Sequence, residues 1–189
     1  FYNFRLGRGL STYDCTHNFV VSYSYNLPFY RMGALPRRLT EGWTMNGITR
    51  AATGLPVTMS QSGDFSLIGG SGVDRPNYIG GLVLTPDVRN TPNHAEFNKS
   101  AFTQEALGTQ GNANPRFFHA PGQVNFDLGV QKSTKIHEST SVLIRAEFFN
   151  AMNHANFNSP NGNYSSGTFG RVTGAGPGRI GQVSMKFLW

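Results

Sequence analysis

Arg145 and Glu147 stand two residues apart in SVLIRAEFF, a spacing that puts both side chains on one face of an extended strand. A cation and a carboxylate placed so can contact a polar substrate or a packed neighbouring domain. Equally, they can line a wet surface and satisfy each other. Asn125 and Asp127 repeat the spacing in GQVNFDLGV, and Lys186 adds a cation in GQVSMKFLW. Asp127 is a candidate cross-strand neighbour of the Arg145–Glu147 pair. Tyr78, Phe117 and Phe118 lie outside such runs and are candidate ligand contacts, since an aromatic ring presents a flat apolar face.

Nothing in the sequence assembles these groups into a reaction centre. The five histidines, His17, His94, His119, His137 and His154, include no pair at metal-binding spacing. Cys15 is the one cysteine, so neither an internal disulfide nor a zinc set can be built on it. No G-x-S-x-G elbow occurs, and GGSG and GAGPG lack the lysine of a phosphate loop. NSPNG and GDFS hold calcium-type oxygens without an ordered acidic array and read as turns. The expectation is a protein that is not an enzyme and uses no cofactor or metal. The net charge of +6 comes from arginines that are scattered, Arg37-Arg38 being the densest pair, so no nucleic-acid partner is expected.

The elements that would carry these residues are strands. Charged residues make up 14% of the chain, against a usual share of about a quarter. The 23 glycines and 13% aromatic content disfavour a helical bundle and favour strands with Gly- and Asn-rich turns. Five long strands are predicted. The first runs from His17 to Pro28, with Phe19, Val21, Tyr23, Tyr25 and Leu27 opposite Ser22, Ser24 and Asn26. The second spans Glu41 to Ser60, with Trp43, Met45 and Gly47 opposite Thr44, Asn46 and Arg50; Gly54 and Pro56 point to a bulge or an edge. The third, Gly122 to Lys132, sets Val124, Phe126, Leu128 and Val130 against Gln123, Asn125, Asp127, Gly129 and Gln131. The fourth, Ser139 to Ala151, sets Val142, Ile144, Ala146 and Phe148 against Leu143, Arg145, Glu147 and Phe149, with a competing helical tendency in IRAEFFNAM. The fifth, ending the chain from Gly178, places Val183, Met185, Phe187 and Trp189 opposite Gln182, Ser184 and Lys186.

The predicted connections alternate in length. Those at Phe29–Thr40 and Ser133–Glu138 are short; those at Gln61–Pro121 and Asn153–Pro177 are long, turn-rich and without a helical period. In an up-and-down antiparallel sheet, alternate connections emerge at opposite ends. One end then carries short turns and the other long loops, the asymmetry of outer-membrane barrels. A spanning strand needs about 9–11 residues, which the five candidates supply. No stretch approaches the roughly 18 apolar residues of a membrane helix. The fold expected is therefore all-β: an antiparallel up-and-down transmembrane barrel, with one strand face turned to lipid and the other to a wet lumen.

The runs HNFVVSYSYNLPF, GWTMNGITRAATGLPVTMSQ, RPNYIG, FNKSAF, GQVNFDLGVQKSTKI, LIRAEFFNAMNHANFNSPN, TFGRVT and GRIGQVSMKFLW resemble, in this order, the C-terminal end of TonB-dependent outer-membrane receptors. More closely they resemble the Oar-like subgroup, which carries a carboxypeptidase-regulatory-like domain. The resemblance spans nearly all of residues 1–189. It implies a barrel of about 22 strands around a plug, of which this chain would supply about the last five. The plug, the energy-coupling box and the earlier strands would lie outside these residues, and five strands alone would leave two open edges. The chain begins at Phe1, as a processed or partial chain would.

The implied location is the outer membrane, with the long loops outside the cell. The implied role is energised uptake of a bulky, unidentified extracellular substrate. The implied partners are outer-membrane lipid, the barrel-assembly machinery and a TonB-type energy-coupling protein acting through the missing N-terminal part. Val183, Met185, Phe187 and Trp189 match the family's C-terminal assembly signal, with Trp189 in the periplasmic aromatic girdle. Two other readings remain open on the residues alone. One is a secreted β-sandwich that binds carbohydrate through Tyr78, Phe117 and Phe118; the other is a barrel that anchors surface adhesion loops.

Overall fold

In a computed structural model, the described residues are 4–31, 33, 35–70, 74–81, 84, 89–91 and 94–189. Parts of two predicted connections, at 32, 34, 71–73, 82–83, 85–88 and 92–93, lie outside them. The chain divides into two compact units. One is made of Asn18–Ala52, Gln123–Asn156 and Pro177–Trp189; the other of Phe1–His17, Thr53–Gly122 and Phe157–Gly176.

The first unit is a five-stranded antiparallel sheet. Its strands are β1 (Asn18–Asn26), β2 (Trp43–Ala52), β5 (Gln123–Lys135), β6 (Ser141–Phe149) and β7 (Ile180–Leu188), in the order β1-β2-β5-β6-β7. Their lengths of 9 to 13 residues reach what a tilted membrane-spanning strand requires. The sheet is not closed, so β1 and β7 are edges. No helix among the described residues is long and apolar enough to cross a membrane; the one α-helix, α1, is the single turn Arg37–Thr40. The helical tendency of IRAEFFNAM is overridden, because β6 pairs along its length with both β5 and β7.

Register carries each predicted apolar set onto one common face. Tyr23, Gly47, Leu128, Phe148 and Gly181 form one cross-strand row, and Tyr25, Met45, Val130, Ala146 and Val183 form another. The face is solvent-accessible: Val183 is 77% exposed, and Phe19, Tyr25, Met185 and Phe187 are each more than half exposed. At Gly47 the Tyr23 ring lies where a Cβ would stand, 2.4 Å from its hydroxyl oxygen, so a larger residue would displace the ring. A β-sandwich would have to bury such a face against a second sheet, and among the described residues the sheet's own unit contains none.

β2 ends eight residues short of its predicted limit. A Cβ on Gly54 would come within 1.9 Å of the Ala120 carbonyl oxygen, so the chain here leaves the ladder for a close backbone approach rather than a bulge. Residues Phe29–Arg31 form a 3₁₀ turn before α1, and β5 and β6 join through a turn in which the Ile136 and His137 amides donate to the Thr140 carbonyl.

The second unit is built by the two long connections together. Isolated bridges join Ser60 to Asn163, Ala95 to Arg171 and Asn161 to Phe169. The two-residue strands β3 (Asn77–Tyr78) and β4 (Phe102–Thr103) make its own small sheet. Its core holds Val57, Met59, Phe97, Phe102, Phe118 and Phe169, with Phe117 and Tyr164 packed against it. Phe97 is central: its ring meets Phe118 and Phe169 edge-on at centroid distances of 5.0 and 4.9 Å.

Candidate functional site

The polar face of the sheet brings four of the five polar candidates into one shallow hollow or its hydrogen-bond network. Gly129 stands opposite both Asn46 and Glu147 and contributes no side chain; the hollow here, of about 380 Å³, is bordered by Ser22, Asn46, Asp127, Arg145 and Glu147 together with the apolar Ile48 and Phe149. Arg145 Nη1 lies 3.4 Å from Glu147 Oε1, and Nη2 donates to Gln131 Oε1 at 3.2 Å. Gln182 of β7 donates to Glu147 Oε2 at 2.7 Å. The pair is thus held by β5 on one side and β7 on the other, which turns a two-residue motif into a three-strand network.

Asp127 does not join the ion pair. Its Oδ1 accepts from Asn125 Nδ2 at 2.8 Å and from the Asn150 amide at 2.9 Å. Its register partner is Ile48. Lys186 lies on the same polar face but in the row of Leu143, outside this network. Next to the hollow, Ser24 Oγ donates to Asn46 Oδ1 at 2.9 Å. Polar groups in mutual hydrogen bonds beneath an open hollow suit a water-filled lumen, as the inner face of a spanning barrel requires.

The short-turn end of the sheet carries a feature that the face assignment alone missed. Trp43 Nε1 donates to the Leu39 carbonyl at 2.8 Å, Phe29 packs edge-on against its ring, and Lys132 Nζ sits 5.5 Å above it. β7 runs toward this same end, where Leu188 pairs with Ser141, so both tryptophans of the chain lie there. Trp189 follows β7 outside the ladder and is 94% exposed. Spacing gave no hint of this; the signal was a tryptophan at a strand start just after a short turn, the position of an interfacial anchor.

The second unit corrects one of the three aromatic candidates. Phe118 is a core residue at 6% exposure and cannot present its ring to a ligand. Phe117 is half-buried against Phe118, 5.1 Å between centroids. Tyr78 sits over both Phe102 and Phe117, at 5.7 and 5.8 Å, and donates its hydroxyl to the Gly81 carbonyl. Tyr78 itself remains exposed, so of the three loop aromatics only Phe118 is withdrawn into the core. A second cavity, of about 530 Å³, is bordered by His94, Phe157, Thr168, Arg171 and Thr173, residues that their spacing did not connect.

Burial perturbs several ionisable groups of this unit. Burial raises Glu96 to about 7. It likewise raises Glu105, and the neighbouring Asp74 charge adds to the effect. Burial would also raise Asp74, but hydrogen bonds from Ser66 and Phe65 outweigh it and hold that carboxylate below its ordinary value. Burial lowers Arg75, whose Nη1 donates to the Leu6 carbonyl at 2.6 Å.

The histidines are dispersed. His119 faces Asp14 at 3.3 Å, and the His154 amide is capped by Asn150 Oδ1. Among the described residues no group of three or more His, Cys, Asp and Glu side chains could hold a metal ion. Asp64, in the GDFS stretch, accepts from the amides of Ile68 and Gly69, which makes it the side chain of a turn.

No curated protein and no solved structure matches the chain. A family described as an outer membrane beta barrel domain matches over residues 1–182, a span that ends within β7 and leaves Val183, Met185, Phe187 and Trp189 beyond it. That match accords with the two-faced antiparallel sheet and places the protein in the outer membrane: the chain belongs to the outer membrane beta-barrel domain family.

Proposed function

We propose that the chain forms the closing part of a TonB-dependent receptor barrel of the Oar-like kind, which takes up a bulky extracellular substrate. The observation that carries this reading is the second unit. Two long connections from the same end of the spanning sheet fold together around an aromatic core, and so present a preformed surface instead of loose loops. A receptor for a large ligand benefits from such preorganisation. The ordered run of sequence blocks from HNFVVSYSYNLPF to GRIGQVSMKFLW supports the same reading.

In this account the apolar sheet face contacts outer-membrane lipid, and the Arg145–Glu147–Gln182 network lines the lumen, where it supports a plug. Val183, Met185 and Phe187 on β7, followed by Trp189, present the alternating apolar edge that barrel-assembly machinery engages. Energy reaches the receptor through a TonB-type protein, and the protein performs no catalysis and needs no cofactor.

The test is cross-linking in intact cells, followed by purification of the outer-membrane protein in detergent. Recovery of a TonB-type protein, lost when the proton gradient is collapsed, is the expected result. Retention of surface loops without any energy-coupling partner would favour the alternative of a barrel that anchors adhesion loops.

A further inference from the structure

The cavity of the second unit lies where its two long connections meet, and backbone bonds frame it. The Val172 amide donates to the His94 carbonyl at 2.9 Å, and the Asn161 and Asn158 amides donate to the carbonyls of Arg171 and Gly174, each at 3.0 Å. Isolated bridges pair Ala95 with Arg171 and Phe157 with Ala175. Walls fixed in this way make the space, of about 530 Å³, a preformed one.

Arg171 is the group that calls for a ligand. It is half-buried and borders the cavity. Its amide donates to the Thr168 carbonyl, but among the described residues no hydrogen bond and no ion pair reaches its guanidinium. No Asp or Glu is among the described residues that border the cavity. Arg89, whose guanidinium lies 5.7 Å from the centroid of the Phe157 ring, puts a second cation beside it. A half-buried fork of N–H donors without an acceptor is costly. A carboxylate is the acceptor that such a fork holds in two parallel bonds.

The other residues of the cavity narrow the ligand further. Thr168 and Thr173 flank Arg171 in sequence and both border the space. Thr168 Oγ1 is held in place by Asn161 Nδ2, which donates to it at 2.8 Å. Hydroxyls both donate and accept, and so match hydroxyls of a ligand. Phe157 is half-buried, with the His94 ring tilted against it at 6.3 Å, and offers a flat apolar wall for the C–H face of a sugar ring. A flat aromatic acid would use the arginine and the ring but leave both threonines unmet.

We propose that Arg171, Thr168, Thr173 and Phe157 form a subsite for an acidic saccharide, with a uronate carboxylate on Arg171 and the sugar ring against Phe157. The inference rests on the receptor reading above and names its substrate class. None of Tyr78, Phe117 and Phe118 borders this cavity, so the saccharide site differs from the one that the loop aromatics suggested in the sequence.

The experiment uses the intact outer-membrane protein, purified in detergent and freed of lipopolysaccharide. Oligogalacturonate, oligomannuronate and a neutral galactose oligomer of the same length are titrated in by calorimetry. Hydrogen exchange is followed in peptides covering residues 94–98 and 157–175. At least one uronate should bind once per chain, at least about tenfold more tightly than the neutral oligomer, and slow exchange in both peptides. Arg171→Gln should weaken uronate binding by about ten- to a hundredfold, since it removes a charge-assisted pair. Thr173→Val should weaken it less, and Arg37→Gln, on the exposed α1, should leave it unchanged. The proposal is overturned if neither uronate binds, if the neutral oligomer binds as tightly, or if a folded Arg171→Gln protein binds as the wild type does. It is equally overturned if inorganic phosphate at the same concentration protects both peptides as well, since the site would then take any anion. Should Arg171→Gln fail to fold, the uronate-to-neutral ratio and the wild-type exchange response decide. A protein that cross-links to a TonB-type partner but binds no uronate keeps the receptor reading and sinks this one. Uronate binding without an energy-coupling partner keeps the saccharide site and sinks energised uptake.

Discussion

The two units of this chain contain the same kinds of apolar residue and use them in opposite ways. In the sheet, Phe19, Val183, Met185 and Phe187 recur at every second position and remain exposed. In the loop unit, Phe97, Phe102, Phe118 and Phe169 follow no period and are buried together. All the buried hydrophobic residues among those described belong to the loop unit. The difference lies in the solvent each unit is built for. A sheet that meets hydrocarbon needs no protein core, because the membrane receives its apolar face. A set of loops in water must make a core from its own side chains or stay disordered.

The contrast can be broken at its strongest point first. Phe97→Ala removes the central ring of the loop core, and truncations of this kind cost about 3–5 kcal/mol. Limited proteolysis should then cut between residues 53 and 122, while the heat-modifiable migration of the barrel is unchanged. Loss of both together would mean that the two units do not stand separately.

The next test addresses the sheet. Leu128→Arg puts a cation in the middle of the apolar face, where the cost of lipid exposure is about 2–4 kcal/mol at the bilayer midplane. Membrane insertion should fall sharply. Asn46→Arg, on the polar face one row away, should insert normally. Equal effects of the two changes would remove the distinction between the faces.

Glu96 offers a smaller, pH-dependent effect confined to the loop unit. Its folded value of about 7 lies above its ordinary 4.5, so the folded unit holds this proton more tightly than the unfolded chain does. Stability contributed by the protonated group is present below pH 4.5 and is lost as pH rises through 7. Glu96→Gln should therefore protect the unit at pH 8, by up to about 3 kcal/mol, and change little at pH 4. Protease resistance measured at both values checks this. Smallest of all, Gln182→Ala removes one hydrogen bond from Glu147 and should cost about 1–2 kcal/mol, read as a modest drop in the unfolding temperature of the barrel.

What the sequence disclosed follows the same division. The strands were legible because a period of two is a local property: Val124, Phe126, Leu128 and Val130 announce their face without reference to any other segment. The register then aligned five such faces, since slipping one strand by a single residue would turn its apolar set into the lumen. The loop unit was not legible. Its core depends on pairings such as Ser60 with Asn163, more than a hundred positions apart, which no local pattern encodes. Hence Phe118 read as an exposed ligand contact although it is buried, and β2 was extended past Gly54 into what is already the other unit. The polar cluster fell between these cases. The Arg145–Glu147 pair could be read from spacing, but its anchoring by Gln131 and Gln182 required the register.

The central claim is that one face of the sheet lies against hydrocarbon and the other against water. It is tested most directly by placing an environment-sensitive thiol probe at Phe126→Cys and, separately, at Asn125→Cys, in a Cys15→Ser background of the intact protein in bilayers. The account predicts quenching by brominated lipid at position 126 and by aqueous iodide at position 125. Quenching by iodide at both positions, or by lipid at both, would contradict it.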